Sequence, residues 1–176
     1  MICGTDVARC AIDAKVNAMQ PGSTTPATLA DLALYLNAER YQPGLFHIGS
    51  GWSGCGDTFC LEQTAAGFEA FYVERGQRAE AMWIEPDEAA ACQAFVALLD
   101  REPWSRSHCV AFSDDLAEIS RINELLSVRG IQATRNDIPS FDGPDRPRYR
   151  LFAIGKDKLI ADQMMNEGLI PQYPWK

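Results

Sequence analysis

The sequence has few histidines and no excess of positive charge. It contains two histidines in 176 residues, and its 16 lysines and arginines are outnumbered by 24 aspartates and glutamates, giving a formal net charge of -8. Nucleic-acid binding takes most of its affinity from cations that neutralise phosphates, so this charge argues against a nucleic-acid partner. An anionic membrane surface would repel the chain for the same reason. The charge instead favours a cationic partner, whose association it would steer.

Long apolar runs and a targeting segment are also missing. No stretch approaches the ~18 consecutive apolar residues of a membrane span, and the first residues, MICGTD, lack the basic start and apolar middle of a secretory signal. We therefore expect a cytoplasmic protein. Its six cysteines are not needed as a disulfide framework in a chain that is 47% hydrophobic, so we expect reduced thiols.

The first part of the chain has the pattern of a helix, several short strands and a second helix. A mildly amphipathic stretch at 5–19 is either an additional helix or a loosely attached tail. The segment 28–40 predicts a helix that Thr28 can cap. Four short β-type runs within 45–84, separated by glycine-containing turns, indicate an antiparallel meander. The segment 86–101 opens with proline and acids, which favours a helix start.

A second unit begins after Trp104. The pattern predicts a strand at 107–112, a helix at 114–129 that Gly130 stops, strands at 131–138 and 148–154, and a helix at 156–167. This β-α-β-β-α order resembles a split βαβ or ferredoxin-like half. We therefore predict an α+β protein in which a helix-meander-helix lobe (1–104) packs on a β-α-β-β-α lobe (105–176), as two lobes or as one compact domain. The aromatic tail that starts at Ile170 should dock on a lobe.

The most distinctive string is GSGWSG at 49–54, which matches the dinucleotide pattern G-x-G-x-x-G. That pattern requires a helix after the third glycine, whereas this chain continues into another strand-like run, so we expect no nucleotide cofactor. We expect instead an exposed, mobile loop that binds a partner, with a plain long hairpin turn as the alternative. The residues predicted to contact the partner are Gly49, Ser50, Gly51, Trp52, Ser53, Gly54 and Asp57.

Metal ligands do not cluster at a convincing spacing. Cys55 and Cys60 with His47 are the nearest group, but a structural zinc site has closer cysteine pairs and a second matched pair. We therefore predict no metal site. Cys60, Cys92 and Cys109 are better interpreted as core residues, because a free cysteine behaves as a small buried hydrophobe.

The positions of histidine and cysteine in the sequence give little support to nucleophilic catalysis. His108 and Cys109 are adjacent in a predicted strand, so their side chains should point to opposite faces. A pair of His47 with Cys55 or Cys109 remains open. Paired carboxylates are the other route to hydrolysis, but most of the acids should be solvated or cap a helix, and together they predict an acidic surface. These acids are Glu62, Glu69, Glu74, Glu80, Glu85, Asp87 and Glu88.

A family resemblance runs through 29–104. It is carried by FHIGSG at 46–51, CLE at 60–62, FEAFYVERG at 68–76 and the helix that opens at 87–89 and continues to FVALL. These runs resemble the immunity proteins encoded beside bacterial polymorphic toxins. Within that group, the chain is similar to the immunity factor of necrotizing-toxin-type NAD glycohydrolases.

The resemblance implies a non-enzymatic inhibitor with neither catalytic residues nor cofactor. Such a protein stays in the producing cell's cytoplasm and blocks the substrate site of a cognate toxin with a basic surface. We expect a monomer that forms a 1:1 complex, with Trp52 as an exposed aromatic anchor. The alternatives are a small cytoplasmic hydrolase that uses a cysteine or a carboxylate, and a structural or regulatory module.

Overall fold

The computed structural model describes residues 25–52, 54 and 56–172, and the segment 5–19 lies outside this part. The described elements are α1 (Leu29–Ala38), β1 (Phe46–Ile48), β2 (Thr58–Thr64), β3 (Gly67–Glu74), β4 (Gln77–Glu85), α2 (Glu88–Leu99), β5 (Ser107–Ser113), α3 (Leu116–Val128), β6 (Thr134–Arg135), β7 (Tyr149–Ile154) and α4 (Asp157–Asn166). They form two sheets with helices on them, which confirms the α+β class. None of the described helices is long and apolar enough to span a membrane.

The first sheet has the strand order β1-β2-β3-β4. Strands β2, β3 and β4 form the predicted antiparallel meander. The prediction is wrong for β1, which runs parallel to β2 with Phe46 opposite Phe59 and Ile48 opposite Leu61. The segment 49–57 is therefore a crossover and not a hairpin turn, because a parallel neighbour begins at the same end of the sheet.

Helices α1 and α2 cover one face of this sheet. Each begins at a predicted cap: the side chains of Thr28 and Asp87 accept hydrogen bonds from the backbone amides of Asp31 and Ala90. The Glu88 carboxylate also accepts from the Leu29 amide at 2.7 Å, which ties the two helix starts together. The core beneath the helices is formed by Leu32, Leu36, Tyr41, Leu61, Phe68, Ala70, Ala91, Cys92, Phe95 and Leu99.

The second sheet has the order β5-β7-β6, and both outer strands are antiparallel to β7. Strands β5 and β6 are thus parallel to each other with β7 between them, which is the predicted split βαβ arrangement. The predicted strand 131–138 is too long, since β6 has two residues and Ile138 forms only an isolated bridge with Arg148. Ile131 does not join the ladder because it is buried in the core that follows α3.

Helices α3 and α4 cover one face of the second sheet, over its own core. Gly130 ends α3 with a φ of 81°, a left-handed conformation that favours glycine. Ile170 is also buried in this core, so the tail docks at that residue, while 173–176 lie outside the described residues. The core is formed by Val110, Ala111, Ile119, Ile122, Leu126, Ile131, Leu151, Ala153, Ala161, Met164 and Ile170.

The two units meet at the segment that follows α1. The Gln42 amide donates to the Ser105 carbonyl at 2.7 Å, and its side-chain nitrogen donates to the Ser107 carbonyl at 2.5 Å. The His108 Nε2 donates to the Arg40 carbonyl at 2.7 Å. Backbone groups of each unit are therefore satisfied by the other unit, which fixes their relative position.

An ion-pair cluster strengthens this junction. The Glu39 carboxylate lies 3.1 Å from Arg106 Nη2 and 2.5 Å from Lys156 Nζ, and both cations belong to the second unit. The Glu39 side chain is 14% exposed, so solvent screens these pairs less than it screens a surface pair.

We expect Glu39→Gln to lower the free energy of unfolding by about 2 kcal/mol, because it removes two charge-assisted hydrogen bonds and leaves Arg106 partly buried without its anion. The matched control is Glu167→Gln, which breaks an exposed pair with Arg129. This control substitution should lower the free energy of unfolding by less than about 0.5 kcal/mol. Urea unfolding curves measure both, and equal losses would contradict a stabilising role for the junction pair.

Candidate functional site

The crossover loop, residues 49–57, is attached to the first sheet at both of its own ends. At one end the Gly49 amide donates to the Leu61 carbonyl at 2.9 Å. At the other end the Asp57 carboxylate accepts from the Arg75 amide, in the turn between β3 and β4, at 3.2 Å. Both ends of the loop are thus fixed to the first sheet.

Trp52 folds back onto the sheet instead of projecting into solvent. Its indole packs against the buried cluster Cys60, Phe71 and Val73, which lies on the sheet face opposite the helices. Trp52 is half-buried, so the expectation of an exposed anchor is corrected. The physical reason is the parallel crossover, which carries the loop back over apolar side chains of β2 and β3.

A shallow pocket of about 370 Å³ lies between the crossover loop and β1. The Nε2 atom of His47 is buried beside it and has no hydrogen-bond partner among the described residues. Leaving such an atom unpaired costs free energy, which is more often tolerated at functional sites than elsewhere. The pocket is lined by Pro43, Gly44, Phe46, His47, Gly51, Trp52, Gly54, Gly56 and Thr58.

The predicted site residues are only partly brought together. Gly51, Trp52 and Gly54 line the pocket, whereas Gly49, Ser50 and Asp57 do not, and Ser53 lies outside the described residues. Sequence reasoning missed the opposite wall, at 43–47. No local sequence signal marks that wall, because it depends on the parallel pairing of β1, which brings 43–47 next to the loop.

The predicted acidic surface is partly neutralised on the outer face of the first sheet. The Arg78 guanidinium lies 2.5 Å from Glu62 and 2.6 Å from Glu69, which are opposite each other in β2 and β3. It also lies 3.7 Å from the centroid of the Phe71 ring. The hydrogen bond to Glu69 raises the pKa of Arg78 above its usual value. Both carboxylates are thus held by one cation.

The described cysteines are poor nucleophiles at neutral pH. Burial raises the pKa of each of the Cys60, Cys92 and Cys109 thiols to about 11. His108 is opposite the buried Ala153, whereas Cys109 is opposite Phe152 on the other face, which confirms that the two side chains diverge. Burial also lowers the pKa of His108.

No protein-family model, curated protein or solved structure matches the chain. Within residues 25–52, 54 and 56–172, no group of three or more His, Cys, Asp or Glu side chains could hold a metal ion, and Cys55 lies outside them. The crossover loop offers exposed glycine backbone, a shallow pocket and a half-buried indole. These features suit contact with a protein surface.

We expect the three described thiols to react slowly in the folded chain, because a pKa of about 11 leaves about a hundredfold less thiolate at pH 7 than an ordinary cysteine has. Iodoacetamide labelling followed by peptide mapping measures each site. Labelling should accelerate as the pH rises towards 11 and on unfolding in urea. Rapid labelling of the folded chain at pH 7 would contradict the burial of these thiols.

The same shifts predict a loss of stability at alkaline pH. A thiol pKa that is higher in the folded state than in the unfolded state contributes stability that is fully present below the unfolded value. This contribution is lost as the pH rises from about 9 towards the folded pKa of about 11. Urea unfolding of Cys92→Ala should show a smaller decline over that range than wild type does, and an equal decline would contradict this origin.

Proposed function

We propose that this chain is a protein inhibitor of the immunity type, which binds a cationic toxin domain and covers its substrate site. The family resemblance favours an NAD glycohydrolase as this toxin. The observation that carries the proposal is the crossover loop, whose exposed glycines Gly51, Gly54 and Gly56 present backbone on a segment fixed at both ends. Glycine lets such a backbone enter a narrow cleft, and the two attachments hold the ends of the loop on the sheet.

Strand β4 offers a second contact surface, at the edge of the first sheet away from β1. Within the described part of the chain it pairs only with β3, and Met82 and Ile84 are each 49% exposed. A free edge with exposed apolar side chains can accept an extended segment of a partner. Asp57 binds the turn that precedes β4, so the loop and the start of this edge lie together.

The net charge of the chain supports a basic partner. The excess of eight negative charges steers a cationic surface towards the chain. Two groups considered for the hydrolase alternative are already accounted for: the described thiols are protonated at neutral pH, and Glu62 and Glu69 both bind Arg78. An inhibitor that acts by forming a 1:1 complex needs neither a reactive thiol nor a free carboxylate.

The experiment that tests the proposal mixes the chain with the catalytic domain of a candidate toxin whose gene is adjacent to its own and assays the hydrolysis of NAD. We expect stoichiometric inhibition of NAD hydrolysis, and absence of both inhibition and binding overturns the proposal. Gly56→Gln should weaken inhibition at least about tenfold, because a larger side chain would separate the loop from the toxin.

Gly56 is a better probe than Trp52, whose packing on the sheet would mix effects on folding with effects on binding. The φ of Gly56 lies outside the left-handed region, and no described atom is within 4 Å of the position its Cβ would take. The matched control is Ala117→Gln, at an exposed position of α3 in the second unit. Equal inhibition by both variants, with unchanged thermal midpoints, would exclude the loop from the interface.

We expect the association rate to fall as the salt concentration rises, because ions screen the attraction between the acidic chain and a basic toxin. Stopped-flow measurements at roughly 0.01 M and 0.5 M ionic strength should differ by about tenfold or more, with a smaller change in the dissociation rate. Association rates independent of ionic strength would remove electrostatic steering from the proposal.

A further inference from the structure

The outer face of the second sheet carries arginines among aromatic rings. Leu151 and Ala153 of β7 point into the core, so Arg150 and Phe152 lie on the opposite face. Phe112 of β5 is directly opposite Arg150 and shares that face. In the described part of the chain, no helix packs on this face of the sheet.

This face meets the first unit at a cleft of about 380 Å³. The first unit supplies Gln42, Leu45 and its last residue Trp104, and the second supplies Ser107, Asn136, Arg150 and Phe152. Gln42 is held by its hydrogen bonds to Ser105 and Ser107, so this wall is fixed by the junction itself. Clefts between packed units are common places for small ligands.

Two aromatic side chains form an apolar wall of the cleft. The ring centroids of Trp104 and Phe152 lie 5.1 Å apart at an interplanar angle of 62°, an edge-to-face contact. Trp104 is 41% exposed, although an indole is usually more buried. The exposed ring surface can stack on a planar ligand.

Arg150 supplies a positive charge whose hydrogen-bond partners are neutral. Its Nε donates to the Asn136 carbonyl at 2.6 Å, and its Nη2 donates to the Asn136 side-chain oxygen at 2.8 Å. The neighbouring Asp137 carboxylate binds the Arg135 guanidinium and the backbone amide of Arg150. Among the described residues, the Arg150 guanidinium makes no ion pair. The guanidinium therefore lies at the cleft without a direct carboxylate contact, 5.4 Å from the centroid of the Phe152 ring, and can bind an anion that enters the cleft.

We propose that this cleft binds a nucleoside monophosphate, with the base against Trp104 and Phe152 and the phosphate on Arg150. The volume exceeds that of one aromatic ring and accommodates a ring, a sugar and one anionic group. The net charge of -8 disfavours a polyanion, so the ligand is a free nucleotide and not a nucleic-acid strand. This site is separate from the crossover loop and does not depend on toxin binding.

Calorimetric titration of the full chain tests the proposal with adenosine monophosphate, adenosine, inorganic phosphate and a single-stranded adenine oligonucleotide. We expect one site for the monophosphate and binding at least about tenfold weaker for adenosine and for phosphate, because each lacks one of the two contacts. No saturable binding of the monophosphate overturns the proposal. Tighter binding of the oligonucleotide overturns the assignment to a free nucleotide.

Variants then locate the site. Arg150→Gln should weaken binding of the monophosphate roughly tenfold to a hundredfold and leave binding of adenosine unchanged. The matched control is Arg148→Gln, because Arg148 comes immediately before β7, two residues from Arg150, but pairs with Asp114 and does not line the cleft. Equal effects of the two variants overturn the role of Arg150.

Trp104→Ala provides an independent arm, because Trp104 is exposed and its loss should leave the fold intact. We expect this variant to weaken the binding of the monophosphate and the binding of adenosine alike, each by about tenfold. Retention of full affinity in Trp104→Ala overturns the proposed stacking contact, even where Arg150→Gln fails to fold. Circular dichroism of each variant separates loss of binding from loss of structure.

Discussion

The position of each unit depends on the short segment that leaves α1 and makes contact with the second sheet. Glu39 binds Arg106 and Lys156 through charge, and Gln42 satisfies backbone groups of Ser105 and Ser107. The junction therefore combines ion pairs with neutral hydrogen bonds between partly buried groups. Removing a side chain from one unit leaves its polar partner in the other unit unsatisfied. The same segment places Gln42 and Leu45 along the cleft between the two units.

Local signals in the sequence were sufficient wherever a neighbouring residue decides the structure. Thr28 and Asp87 cap their helices, and Gly130 ends α3, because each acts on backbone within a few residues. The direction of β1 was not predictable in this way. A three-residue strand followed by a glycine-rich segment has the same pattern whether it pairs parallel or antiparallel, and the choice depends on packing of the whole sheet.

The same limit applies to the candidate site. The glycine-rich composition of 49–57 predicted a binding loop there, and three of the residues predicted to contact the partner line the pocket. The burial of Trp52 and the binding of Glu62 and Glu69 by Arg78 depend on which residues are adjacent across strands. The aromatic and arginine face of the second sheet was missed because its members come from separate strands and loops, and only the sheet order places them together.

The junction also bears on the order in which the chain folds. Phe46 and Phe59 pair across a short loop, whereas Glu39 and Lys156 are 117 residues apart in sequence. The entropic cost of closing a loop grows with its length, so contacts within each sheet form more readily than the junction does. Folding from the unfolded chain should therefore build two separate cores before they dock, and the rate of the final step should be set by the search of one preformed unit for the other.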